Sequence, residues 1–171
     1  MASVQKITPF LWFDTEAEEA AKYYVSIFKN SKIEKISRYG EGGQETHKRP
    51  VGSVMVVEFT LDGQRFVALN GGPNFKFNEA ISFVISCKDQ AEIDYYWDKL
   101  TQGGDPAAQV CGWLKDKYGL SWQVTPEDFG RLVGDPSDPG SQRAMEAMMH
   151  MKKIDIRKME EAKAGAKAAV R

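Results

Sequence analysis

Ile7-Thr8-Pro9-Phe10-Leu11-Trp12-Phe13-Asp14-Thr15-Glu16-Ala17-Glu18 opens as an apolar, aromatic run and closes on the spacing of a helix start. Ile7 to Phe13 predicts a buried strand, and Thr15 three residues before Glu18 predicts a capping box, in which each side chain takes a free backbone N–H. Ala17, Ala20, Ala21, Tyr24 and Phe28 then recur at three and four, the stripe of a helix buried on one side, and Asn30-Ser31 ends it. The pattern returns 73 positions on, where Ser82-Phe83-Val84-Ile85-Ser86-Cys87 is a second strand run and Asp89 with Glu92 repeats the cap. At that offset Phe10 meets Phe83, Leu11 meets Val84, Glu19 meets Glu92, Ala20 meets Ile93, Tyr23 meets Tyr96, Tyr24 meets Trp97 and Ile27 meets Leu100. Agreement on both helix faces argues for a duplication.

After the first helix come strand runs at Ile33 to Tyr39, Val51 to Leu61 and Arg65 to Asn70, with a glycine-rich loop from Gly40 to Pro50 and a turn at Asp62-Gly63. After the second come Gln109 to Leu114 and Leu120 to Thr125 around the turn Asp116-Lys117-Tyr118-Gly119. Each half therefore reads as βαβββ, and neither alone covers both faces of its sheet. The expected fold is α+β: one domain over 1–171 whose modules, about 1–73 and about 74–126, build a curved mixed sheet around a concavity. Beyond it, Thr125-Pro126-Glu127-Asp128, Asp138-Pro139 and Asp155 predict helix starts in a tail over about 127–171, with fraying from Gly165 to Arg171.

The chain has 171 residues, 42% of them apolar, which suits one soluble domain. Its 23 basic residues nearly cancel 24 acidic ones, so the net charge of −1 offers no field to hold nucleic acid or an anionic membrane. The longest charge-free apolar stretch, about Ala80 to Cys87, is far short of the ~20 residues of a membrane span. A cytoplasmic protein with unpaired Cys87 and Cys111 is expected.

With two βαβββ modules in place, the chain resembles the glyoxalase, or vicinal oxygen chelate, superfamily. Phe13 to Ala20 with Tyr23-Tyr24, Leu69-Asn70-Gly71-Gly72-Pro73, Phe75-Lys76-Phe77-Asn78-Glu79-Ala80-Ile81-Ser82-Phe83, Tyr95-Tyr96-Trp97, Cys111 to Val124 and Met151 to Asp155 are similar to its PhnB-like family, often labelled demethylubiquinone methyltransferase. The resemblance implies paired modules, a sheet-lined pocket and commonly a homodimer. Met145, Met148 and Met159 in the tail suit burial against a partner or the sheet.

Metal-dependent members of the superfamily carry histidine or glutamate on the first and last strands of each module. Here the first-strand positions hold Thr8 or Pro9 and Ser82. On the last strands, Gly119-Leu120-Ser121-Trp122-Gln123 puts Gln123 where the carboxylate would stand, and Ala68 or Asn70 takes that place in the first module. The two histidines, His47 and His150, lie in a loop and in the tail. Neither a metal nor another cofactor is expected. Gly42-Gly43 and Gly71-Gly72 fall between strands, which does not suit the strand–glycine–helix cradle of a methyl donor or a dinucleotide.

The remaining candidates are aromatic and neutral. Phe10, Trp12, Phe75, Phe77, Trp113 and Trp122, with Asn70, Ser82 and Gln123, would line an apolar cleft suited to a small, flat organic molecule, with Cys111 and His47 nearby. The same aromatics could instead be plain core, Asn70-Gly71-Gly72-Pro73 a joining turn, and Lys115, Asp116 and Lys117 solvated charge at a hairpin tip. Two functions follow: metal-free binding of a small hydrophobic or aromatic compound, or a superfamily enzyme using a weakly held divalent ion or a neutral acid–base set around His47.

Overall fold

A computed structural model describes residues 5–165. The chain divides after Lys76 into two compact units. The first holds strand β1 (Phe10–Phe13), helix α1 (Ala17–Ile27), β2 (Lys32–Arg38), the single-turn α2 (Gln44–His47), β3 (Val54–Leu61) and β4 (Gln64–Asn70). Its sheet runs β1-β4-β3-β2, with β1 parallel to β4 and the other pairs antiparallel. The second unit holds β5 (Ser82–Cys87), α3 (Gln90–Leu100), a 3-10 turn at Pro106–Ala108, β6 (Trp113–Lys115) and β7 (Ser121–Pro126). After these come α4 (Phe129–Val133), α5 (Pro139–Met149) and α6 (Ile156–Ala164). Its sheet runs β5-β7-β6, again with the first strand parallel to the last.

The fold is α+β, and its strands form two sheets, one in each unit. Both follow the same order, but the second module is βαββ, one strand short of expectation. In place of the outermost strand, Asp105 caps the 3-10 turn by accepting from Ala107 N, and Pro106 has no N–H to give a ladder.

The helices confirm the offset of 73. Both have 11 residues, and Ala20, Tyr24 and Ile27 are buried like Ile93, Trp97 and Leu100. The strands do not keep that offset. Leu11 and Phe13 are buried in β1, Ile85 and Cys87 in β5, so the matching faces are 74 apart and the pairs Phe10/Phe83 and Leu11/Val84 point to opposite sides. The cause is the link from strand to helix, residues 14–16 in one module and only 88–89 in the other.

The extra residue also undoes the first capping box. Asp89 caps α3, accepting from Glu92 N at 2.9 Å while the Glu92 carboxylate takes Lys88 N–H at 2.9 Å. In the first module Glu16 precedes the helix without a side-chain cap, and the free Ala17 N–H donates to Asn70 Oδ1 at 2.8 Å.

In the tail, Pro126 ends β7 instead of starting a helix, and α4 begins at Phe129. Met148 and Met159 are buried within the second unit. The expected fraying concerns residues of which 166–171 lie outside the described range. No helix among the described residues is long and apolar enough to cross a membrane.

Asp138 joins α5 to α6, accepting from Gly140 N and Ser141 N and pairing with Lys163 Nζ at 2.7 Å. The Lys163 hydrogen bond, helped by Gly140 N–H and Ser141, holds its carboxyl well below the usual carboxylate range. A depressed carboxyl stabilises the fold fully above its unfolded pKa, and the contribution fades as pH falls. The melting temperature of the wild type should therefore drop more steeply below about pH 4 than that of Asp138→Asn. Parallel acid profiles in thermal melts would contradict this.

Candidate functional site

The register of β5, β7 and β6 sorts side chains onto two faces. Ile85, Cys87, Leu114, Trp122 and Val124 are buried on the α3 side, where the rings of Phe83 and Trp122 lie 5.6 Å apart. On the other face Val84, Gln123 and Trp113 form one cross-strand row, and Ser82, Ser121 and Lys115 the next. This face is open at Val84, which is 58% exposed. It lines a cavity of about 960 Å³, walled by the 3-10 turn, Cys111, Phe129 of α4, and Met148 and Met149 at the end of α5. That size suits a small organic ligand.

The polar groups here are mostly neutral. Gln123 Nε2 donates to Ser82 Oγ at 2.9 Å. Ser121 is buried, and its hydroxyl has no partner among the described residues. At the rim the Lys115 ammonium pairs with the Glu79 carboxylate, and that hydrogen bond holds the Glu79 carboxyl below its ordinary range.

Cys111 and Gly112 form a two-residue hairpin turn, both at positive φ (51° and 84°), between Val110 and Trp113, which exchange backbone hydrogen bonds. Glycine is required at 112, because a Cβ would stand 3.0 Å from Ile154 Cγ1 and from Val124 O. The N–H groups of Cys111 and Gly112 donate to Met151 O and Lys152 O, both at 2.8 Å, pinning the tail across the turn. The Cys111 sulfur lies 3.8 Å from that of Met149. Cys87 is on the α3 side, where burial pushes its thiol up to about 12, helped by Glu92 and Asp89, so it stays protonated at neutral pH.

Of the sequence candidates, Cys111, Trp113 and Gln123 line the cavity, and Ser82 joins them through Gln123. Trp122 does not. It is 3% exposed on the α3 side, where its indole N–H donates to Asp116 Oδ2 at 2.8 Å. Neighbours in a strand face opposite ways, so Gln123 and Trp122 could not both point into one cleft. Phe77 belongs to the second unit but is not among the cavity's lining residues.

The other candidates belong to the first unit. Phe10 is exposed, Phe75 meets Trp12 edge-on at 4.9 Å, and Trp12 Nε1 donates to Gly72 O at 2.8 Å. Gly71 allows this, since a Cβ there would sit 2.3 Å from the Trp12 ring. Asn70 is a structural residue. It is 6% exposed, its Oδ1 takes Ala17 N–H and its Nδ2 donates to Val54 O, so both ends of the amide hold the first unit together. His47 Nδ1 accepts from Arg49 N at 3.0 Å, with the ring centred 4.5 Å from that of Tyr39. Gly43 directly precedes α2 instead of lying in an open loop, but one helical turn aligns too few peptides to gather an anion.

Sequence reading missed Val84, Ser86, Ser121, Thr125, Lys115 and Glu79. Once Gln123 faces inwards, period two on β7 places Ser121 and Thr125 with it. Met148 and Met149 carried no such signal, because the path of the tail brings them there.

The donor set does not fit a catalytic divalent ion. The last-strand position is the amide of Gln123, paired with Val84 on β5, and the corresponding row of the first module is Phe10 with Val67. Among the described residues no group of three or more His, Cys, Asp or Glu could hold a metal. A methyl-donor cradle does not fit either: the links into α1 and α3, Asp14 to Glu16 and Lys88-Asp89, contain no glycine, and the glycine-rich link from β2 opens only the single turn of α2.

A family model described as 3-demethylubiquinone-9 3-methyltransferase matches residues 5–125. No curated protein sequence matches the chain. Among solved structures, the PhnB protein from Bacillus cereus is 42% identical, aligned over 71% of this chain and 99% of its own, with a TM-score of 0.60. Protein PA1353 from Pseudomonas aeruginosa is similar in fold, at 18% identity over 71% of this chain and 98% of its own, TM-score 0.54. The fosfomycin resistance protein FosX from Listeria monocytogenes aligns at 13% identity over 72% and 93%, TM-score 0.44. The family match stops at residue 125, so α4, α5 and α6 lie beyond it, although α4 and α5 supply cavity walls.

Proposed function

Because the chain belongs to the PhnB-like family of the vicinal oxygen chelate superfamily, whose shared fold fixes no one reaction, we propose a binding function carried by the second unit. The protein takes up a small, flat hydrophobic or aromatic molecule, without a metal, on the open face of the β5-β7-β6 sheet. The carrying observation is the row Val84–Gln123–Trp113, in which an aromatic plane and an aliphatic side chain flank a neutral amide at the floor of a cavity of about 960 Å³. The ring supplies stacking area, and the amide both donates and accepts, which orients a ligand without demanding charge. Walls from the tail, which lies beyond the family match, help to enclose the cavity.

The test is a fluorescence titration with phenylnaphthylamine, an uncharged aromatic probe, in the presence of a chelator. Saturable one-to-one binding is expected, weakened about tenfold in Trp113→Ala, since stacking plus lost apolar burial is worth ~1.4 kcal/mol or more. Binding that appears only with zinc, nickel or manganese, or that ignores Trp113→Ala, would overturn the reading.

A further inference from the structure

Lys115 is the one cationic side chain among the cavity's described lining residues. Its ammonium is held by Glu79, whose side chain is 63% exposed and comes from the coil ahead of β5. Next to Lys115 in register stands Ser121, 1% exposed on the cavity-lining side of β7. Its hydroxyl is the buried side-chain polar atom left without a partner among the described residues. A buried hydroxyl with no acceptor or donor is costly, and such groups are nearly always satisfied in folded proteins. An ammonium beside an unpaired hydroxyl, at the edge of an apolar cavity, forms half of an anion site. Glu79 shows that the ammonium donates to a carboxylate, and because the Glu79 side chain is 63% exposed and can turn to water, another anion can take its place.

We propose that the ligand of this cavity is an organic anion. Its flat apolar body lies over Trp113 and Val84, and its acidic group replaces Glu79 on Lys115 while accepting a hydrogen bond from Ser121 Oγ. This rests on the binding function proposed above and adds the charge of the ligand to it. The shared row Ser82–Ser121–Lys115 sets the acidic end one residue pair from the row that carries the ring, a spacing that suits a compact aromatic acid. Charge-assisted hydrogen bonds are the strong ones, so the anionic group should add to affinity as well as orientation.

Anilinonaphthalene sulfonate and phenylnaphthylamine share one ring system and differ by an anionic group, so titrating both isolates the charge. Wild-type protein should bind the sulfonate more tightly. Glu79→Gln should strengthen sulfonate binding several-fold more than that of the uncharged probe, Lys115→Met should abolish the preference, and Ser121→Ala should weaken the sulfonate about tenfold. Ser121→Ala should also raise the melting temperature of the free protein, because the unpaired hydroxyl is gone. Should the uncharged probe bind through Trp113 while the sulfonate responds to none of these substitutions, the anion site is wrong and the binding function stands. Should neither probe bind through Trp113, both are wrong.

Discussion

Asp116→Ala is expected to cost about 3–5 kcal/mol, the largest single loss in the second unit. Asp116 is 2% exposed; its Oδ1 accepts from Tyr118 N at 2.9 Å and Leu120 N at 3.1 Å, and its Oδ2 from Trp122 Nε1 at 2.8 Å. Hydrogen bonds to a charged group contribute roughly 1.5–3 kcal/mol each and are not additive, and removing the carboxylate strands donors in a turn that closes over itself. That turn joins β6 to β7, so its loss also loosens Trp113 and Gln123. Asp116→Asn keeps the shape but turns one acceptor into a donor facing the Trp122 indole or the turn, and should cost roughly half as much. Urea unfolding followed by tryptophan fluorescence measures both, and a loss under about 1 kcal/mol for Asp116→Ala would contradict the assignment.

Ile154→Ala should cost about 3–4 kcal/mol, within the usual range for truncating a fully buried aliphatic side chain. Ile154 is 0% exposed and sits over the bare Cα of Gly112. Its carbonyl accepts from Gln90 Nε2 at 3.0 Å, while Gln90 Oε1 takes Ile156 N–H at 2.9 Å, so the start of α3 clasps the segment that crosses the Cys111–Gly112 turn. The cavity left behind would release Met151 and Lys152 from that turn. Amide exchange at Cys111 and Gly112 should then accelerate together with the global rate, and affinity for phenylnaphthylamine should fall because Met148 and Met149 lose their anchor. Unchanged exchange at Cys111 and Gly112 would show that the tail is held in another way.

The helices were readable because a stripe at three and four survives whatever surrounds it, and Tyr24 and Trp97 occupy equal places at an offset of 73. Strand faces were less readable. One residue fewer between β5 and α3 reverses which side Val84 takes relative to Leu11, and nothing local in the sequence marks that deletion. Gln123 is legible through its alignment with a last-strand carboxylate, Trp113 as a strand aromatic and Cys111 as a cysteine near the cleft, and all three line the cavity. Alternation sends only some of the strand aromatics inwards, and with Gln123 on the cavity side its neighbour Trp122 takes the other face. Asp116 looked like solvated charge at a hairpin tip, yet an aspartate followed three residues later by glycine is also the pattern of a turn closed by its own carboxylate. Asn70 reads as a neutral ligand group at the last-strand position of its module, whereas its amide takes the first free N–H of α1, a pairing 53 residues apart that no local pattern marks. The contribution of Met148 and Met149 depends on tertiary contacts of the tail alone.

The proposed binding site is the open face of the β5-β7-β6 sheet, closed off by the tail and acting without a metal. Methyl-labelled methionine spectra recorded during a phenylnaphthylamine titration with chelator present test it most directly. The account predicts saturable shifts at Met148 and Met149, which line the cavity, and a still signal at Met159, buried in α6. Shifts that spare Met148 and Met149, or that arise only once a divalent ion is added, would contradict it.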